Sequence, residues 1–164
     1  MVNFEAIFQQ ARNEKRQAVY KGEAIYLMDK IVISGNVRGI ITLLKTNSDW
    51  QQAVMLHVDK KDRITINGFT GCLFKLWEDE LLQPITFQAN IKMNWLGVYN
   101  AWEHRMHNGQ KATYFWLSGA AMKKEVINEN EFIYYCNDGH FDDNFDDIVF
   151  KLTLFKDDSI DTKA

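Results

Sequence analysis

The sequence is short of everything that breaks or staples a chain. It has one proline, Pro84, and nine glycines in 164 residues, which leaves little room for long structureless linkers. Its two cysteines, Cys72 and Cys136, stand alone, with neither a CxxC pair nor the histidine spacing of a zinc site. They point to two reduced thiols rather than a disulfide scaffold. Apolar residues never run to the roughly 18 that a helix needs to cross a bilayer, so no membrane role is expected. The opening Met-Val-Asn-Phe-Glu lacks the basic region and apolar stretch of a secretory leader, which predicts a cytoplasmic protein. HExxH, GxSxG, a Gly-rich phosphate loop and a dinucleotide fingerprint are all missing. The enzyme case is therefore thin.

What is present argues for a packed domain. Apolar residues make up 46% and aromatics 13% of the chain, too much for disorder. A chain of this length buries on the order of 70% of its unfolded surface without a metal or disulfide, and one domain spanning 1–164 is expected. Net charge is −3, but it is unevenly spread: residues 1–124 carry 16 basic against 11 acidic side chains, and residues 125–164 carry 3 against 11. An acidic end of this kind is either a solvated surface or a binding face.

Residues 3–17 predict an amphipathic helix. Phe4, Ile7, Phe8 and Ala11 share one face, Asn3 is the N-cap, and Arg12, Lys15 and Arg16 favour the C-terminal end of the helix dipole. From residue 25 to 156 the period becomes that of strands. Segments 25–33 and 37–45 read as a hairpin about Gly35-Asn36, with Ile31 opposite Ile40 and two apolar faces to be covered. Segments 50–58 and 63–69 read as a second hairpin about Asp59–Asp62. Segment 85–96 alternates most cleanly, Ile85, Phe87, Ala89, Ile91, Met93 and Trp95 against polar neighbours. Asn108-Gly109 is the strongest turn signal, and a two-residue turn there sets Trp102 opposite Phe115 and His104 opposite Thr113. Segments 131–136 and 147–156 complete the set, and 157–164 reads as a frayed acidic tail. The fold class is mainly β: an antiparallel β-sandwich or flattened barrel of about eight strands behind the helix, with α+β as the alternative.

Three groups of residues are candidates for function. Trp95, Tyr99, Trp102, His104, Tyr114 and Trp116 form an aromatic concentration suited to a partner surface or to the floor of a ligand cavity. The run 137–147 is the most acidic stretch, and Asp138, Asp142 and Asp143 could offer oxygens to Ca²⁺, although the spacing departs from an EF-hand loop. Glu103/His104, His140/Asp142 and Cys136/His140 are nominal acid–base or nucleophile–base pairs by proximity in sequence alone.

These features favour a non-enzymatic cytoplasmic interaction domain that binds a protein partner or self-associates, its acidic quarter adding charge complementarity. The alternatives are a barrel that encloses a small apolar ligand, with a cavity lined by several of Trp95, Trp102, Phe115 and Trp116, and a nucleic-acid-related role. The latter is either phosphate binding by the basic part or mimicry of DNA by the acidic end.

Overall fold

The computed structural model describes residues 2–11, 16–105 and 108–156. Residues 12–15 of the expected helix, Met106, His107 and the tail 157–164 lie outside that set, whereas Gln17, expected as the last residue of the helix, begins a strand. The chain is mainly β, two antiparallel sheets preceded by one short helix, and the linear order of strands in each sheet leaves neither closed on itself. It is a sandwich rather than a barrel.

Helix α1 (Phe4–Ala11) starts where the capping residue dictates: Asn3 Oδ1 accepts the Ala6 N–H at 3.2 Å. Two turns of helix are marginal alone, and Phe4 and Phe8 bury themselves with Ala18, Ile25, Ala121 and Phe145 in a satellite core. The chain then forms β1 (Gln17–Tyr20) and β2 (Glu23–Tyr26). This hairpin was not expected. Its turn is Lys21-Gly22, with φ of +50° and +80°, the paired left-handed values of a type I′ turn.

The larger sheet runs β1-β2-β12-β13-β14-β4-β9-β6-β7. It contains β4 (Gly35–Thr46), β6 (Arg63–Ile66), β7 (Phe69–Gly71), β9 (Ile85–Ile91), β12 (Ala121–Asn128), β13 (Glu131–Asn137) and β14 (Ile148–Lys156). The smaller sheet runs β11-β10-β5-β8, with β3 added beside β10. Its members are β3 (Asp29–Ile31), β5 (Gln51–His57), β8 (Leu73–Trp77), β10 (Leu96–Arg105) and β11 (Lys111–Tyr114).

The patterned strands fall as expected. In β9, Phe87, Ala89 and Ile91 are buried while Gln88 and Asn90 are exposed, and in β14 Ile148, Phe150, Leu152 and Leu154 are buried. Strand β9 stops at Ile91 rather than continuing to Trp95, because the buried Asp62 carboxylate accepts the Lys92 and Met93 N–H groups at 2.9 and 3.1 Å.

Both early hairpins are corrected. Gly35 does take a left-handed φ of +91°, yet the chain changes sheets there: Ile31 pairs with Leu96, while β4 lies between β14 and β9. Likewise β5 pairs with β10 and β8, and β6 pairs with β7 and β9. The turn at 59–62 forms, Asp62 N–H donating to Asp59 C=O at 2.8 Å, but it carries the chain from one sheet to the other. The reason is burial. Ala53, Val54, Met55 and Leu56 are all covered, so β5 must lie inside its sheet with a neighbour on each side.

The chain reverses about Asn108-Gly109, but one residue out of the expected register. Trp102 faces Tyr114 and His104 faces Ala112, because the loop closing the pair is longer than two residues. Strand β12, between the expected strands, was missed. Both cysteines are free, and no helix among the described residues is long and apolar enough to cross a membrane.

Candidate functional site

The register of the smaller sheet builds one wall of the site. Gln52 on β5 faces Trp102 on β10; His104, two residues further along β10, shares the face of Trp102, and Trp50, in the segment just before β5, lies beside them. Trp50 stacks on His104 (ring centroids 4.9 Å apart, planes 25° apart) and runs nearly parallel to Trp102 at 6.4 Å. His104 stacks in turn on Tyr114 at 4.6 Å.

The other wall comes from the larger sheet. The loop 138–147 joining β13 to β14 sets the His140 imidazole on the Trp50 ring at 3.9 Å, 23° from parallel. Two glycines allow the approach. A Cβ on Gly139 would lie 2.9 Å from the Trp102 ring, and one on Gly119 would collide with the His140 carbonyl.

Asp138 pins this loop from inside. Its carboxylate has no exposure. Oδ2 accepts from Ser48 Oγ at 2.6 Å and Gln52 Nε2 at 3.0 Å. Oδ1 accepts the His140 N–H at 3.0 Å and contacts His140 Nδ1 at 2.7 Å. The Asp138 N–H donates to Asp147 Oδ2 at 2.9 Å. Asn137 ties down the rest: its Oδ1 accepts the Phe145 N–H at 2.6 Å, and its C=O accepts from Asn100 Nδ2 at 2.9 Å. Gln52 Oε1 is the one atom of this group that is buried without a partner; the remaining hydrogen bonds hold the surface loop in place.

Burial and the carboxylates set the proton affinities. Burial, with the charges of Asp138 and Asp142, pushes Asp147 up to about 7 against the lowering effect of the Asp138 N–H. Burial pulls His140 down, but its hydrogen bond to Asp138 and the charges of Asp138, Asp147 and Asp142 outweigh it, and the imidazole ends above its ordinary value. The Cys136 thiol is pushed well up by burial and by Asp147.

Two open cavities flank the stacked rings. One of about 460 Å³ is lined by Asp49, Asp142, Asp146 and Asp147 together with Ser48 and His140. The other, of about 420 Å³, is lined by Asp49, Trp50, Glu103, His104 and Lys111. Lysines beside these carboxylates are already paired: Lys45 with Asp146 at 3.5 Å and Lys111 with Glu103 at 3.6 Å.

The six aromatic candidates divide into three places. Trp102, His104 and Tyr114 join Trp50 and His140. Tyr99 packs instead on Phe115 and Trp116 at 5.6 and 4.9 Å, with the Arg16 guanidinium 3.6 Å above Trp116. Trp95 meets His57 edge-on and lies under Lys30. Trp95 and Trp116 line separate clefts of about 220 Å³ each, apart from the cavity beside Trp50 and His104.

The three acidic candidates also part. Asp138 faces inward, Asp142 lines the cavity, and Asp143 accepts from Tyr20 Oη at 2.9 Å and pairs with Lys21 at 3.3 Å. Among the described residues, no three His, Cys, Asp or Glu side chains are grouped to hold a metal ion.

The partner of His140 is Asp138 rather than Asp142. The pair resembles the Asp–His half of a hydrolytic triad, but Ser48 donates to the same carboxylate and not to the imidazole. Sequence reasoning missed Trp50, Ser48, Gln52 and Asp49. For Ser48, Trp50 and Gln52 the signal is the shared parity leading into β5, which has meaning once the register with Trp102 is known; Asp49 has the opposite parity and gave no such signal. No protein-family model matches the chain, and no curated protein matches it either.

Proposed function

We propose that the protein is a non-enzymatic interaction domain that captures a cationic segment of a partner protein in the carboxylate-lined cavity. One observation carries this reading. Asp142, Asp146 and Asp147, on a loop whose position is fixed by the buried Asp138 network, line a single open space together with Asp49 from the segment before β5, so the site is organised before any partner arrives. Preorganisation removes the ordering cost that a floppy acidic loop would bear on binding. The adjoining stack of Tyr114, His104, Trp50 and His140 offers flat, half-buried aromatic surface of the kind enriched at binding hot spots. Opposite charge at the rim steers a basic partner and fixes its orientation. The two free thiols support a reducing, cytoplasmic setting for the encounter.

The test is titration with an arginine- and lysine-rich peptide, followed by calorimetry and by tryptophan emission. Saturable binding that weakens with added salt, and falls about tenfold or more in Asp142→Asn/Asp146→Asn, is the expected result. Peptide binding at low salt that is indifferent to both substitutions would refute the assignment of the site.

A further inference from the structure

We infer that the contact unit of Asp138, His140 and Asp147 makes this cavity a proton-gated site, releasing a cationic occupant when the unit gains protons and capturing it when they leave. The inference rests on the cation-binding reading above and adds its regulation.

The geometry has three parts. The imidazole touches one carboxylate, and the backbone of that same residue holds the other: His140 Nδ1 lies 2.7 Å from Asp138 Oδ1, and the Asp138 N–H donates to Asp147 Oδ2 at 2.9 Å. Asp138 is fully buried and Asp147 only 6% exposed, so water screens their mutual repulsion poorly. Finally, both His140 and Asp147 line the cavity, which puts any change in their charge at the occupant's position.

The surroundings decide which groups take the protons. From β5 and the segment before it come Ser48, Trp50 and Gln52, all uncharged, and the carboxylate of Asp49. From the end of β4 comes Lys45, already paired with Asp146. The loop itself supplies Asp142 and Asp146, and β13 supplies the buried Cys136 thiol, which is pushed up and stays protonated. His104 stacks on the Trp50 ring, at 4.9 Å between centroids. Burial holds the Asp147 proton to about neutral pH. Hydrogen bonding and charge from Asp138 favour the charged His140, and the indole face of Trp50 below it favours an imidazolium as well.

Acidification therefore removes one negative charge at Asp147 and completes one positive charge at His140. Both changes oppose a bound cation. At the few-ångström separations across such a cavity, each proton should weaken binding by about tenfold.

Two measurements separate the gate from the reading it rests on. The first needs no partner: NMR of the His140 ring and the Trp50 indole N–H, followed between about pH 5 and 8. The free protein should show both signals moving through coupled steps, simplified to a single step in Asp147→Asn. The same trace in His140→Gln, where Trp50 should lose most of its response, guards against a misfolded Asp147 variant. Signals that stay still over this range would overturn the gate. The second is the affinity of the basic peptide across that range. A loss of tenfold or more on acidification, flattened in Asp147→Asn, supports the proposal. An affinity that does not change while the rings titrate would overturn it. Failure of the peptide to bind at any pH, with the rings still titrating, would instead remove the cation reading and the gate with it.

Discussion

Replacing Asp147 by Asn keeps the shape of the side chain and an oxygen to accept the Asp138 N–H, but removes the proton that the folded protein holds too tightly. Its carboxyl is pushed from 3.8 to about 7 by burial and by its acidic neighbours. In the unfolded chain it should titrate near its ordinary value of about 4. A raised carboxyl stabilises the fold fully while both states are protonated. That contribution is lost as pH climbs, because the unfolded chain releases its proton first, and the loss ends as pH passes the folded value. Over about three pH units, at about 1.4 kcal/mol per unit, the native protein should lose roughly 4 kcal/mol that the variant keeps. Urea unfolding at a series of pH values, read by tryptophan emission, gives the difference in stability between the two proteins. Carboxylates away from the site titrate alike in both and cancel. The difference should swing toward the variant between about pH 4 and 7 and then level off. A difference that stays constant within about 1 kcal/mol across that window, or swings the other way, would refute the account of the site's electrostatics. The result also bears on function, since a site that keeps a carboxyl near neutrality at this cost is the kind on which functional roles fall.

Asp62→Ala removes the acceptor for the Lys92 and Met93 N–H groups and should cost roughly 2–4 kcal/mol in chemical denaturation; a loss under about 0.5 kcal/mol would mean that water replaces the clamp. Gly119→Ala places a methyl group against the His140 carbonyl. It should cost roughly 1–3 kcal/mol and alter near-ultraviolet tryptophan dichroism by disturbing the Trp50–His140 stack, so an unchanged spectrum counts against that packing. Lys124→Met strands the Asp29 carboxylate, which Lys124 meets at 2.7 Å and Tyr134 Oη at 2.6 Å. The single change should cost about 3 kcal/mol or more, and Lys124→Met/Asp29→Asn should recover most of it; no recovery would show that packing, not charge, holds that corner.

Strands with one wet face could be read directly. Gln88 and Asn90 mark the exposed side of β9, and Lys151 and Thr153 the half-buried side of β14, so alternation alone identified both elements and their buried faces. Pairing was harder because a turn signal says that the chain bends, not which sheet it joins next. Gly35 adopts the left-handed backbone expected of it, yet the strands on its two sides belong to different sheets. The uninterrupted apolar run from Ala53 to Leu56 was the clue to an interior strand, and such a run needs two neighbours that proximity in sequence does not supply. Lys21-Gly22 was overlooked because the basic residues before it also suit the end of a helix. Propensity and tertiary context pull opposite ways there, and the edge of the larger sheet prevails.

The site was less legible for a reason that follows from the period of two. One residue of slip in the β10–β11 pair exchanges Phe115 for Tyr114 opposite Trp102, and every later assignment to a face changes with it. The aromatic cluster was therefore visible as composition, while its partition was not: Tyr99 and Trp116 belong to one face, Trp102 and His104 to the other. The acidic run shows the complementary difficulty. Its carboxylates look alike in sequence, yet Asp138 is a buried anchor, Asp143 a surface partner of Lys21, and Asp142 part of the cavity wall. What sorts them is where Asn137 and Gly139 force the chain: Asn137 fastens it beneath β10, and Gly139 allows it to touch Trp102. The chemistry of the site thus depends on contacts between Trp50 and His140, ninety residues apart, that exist only because the two sheets face each other.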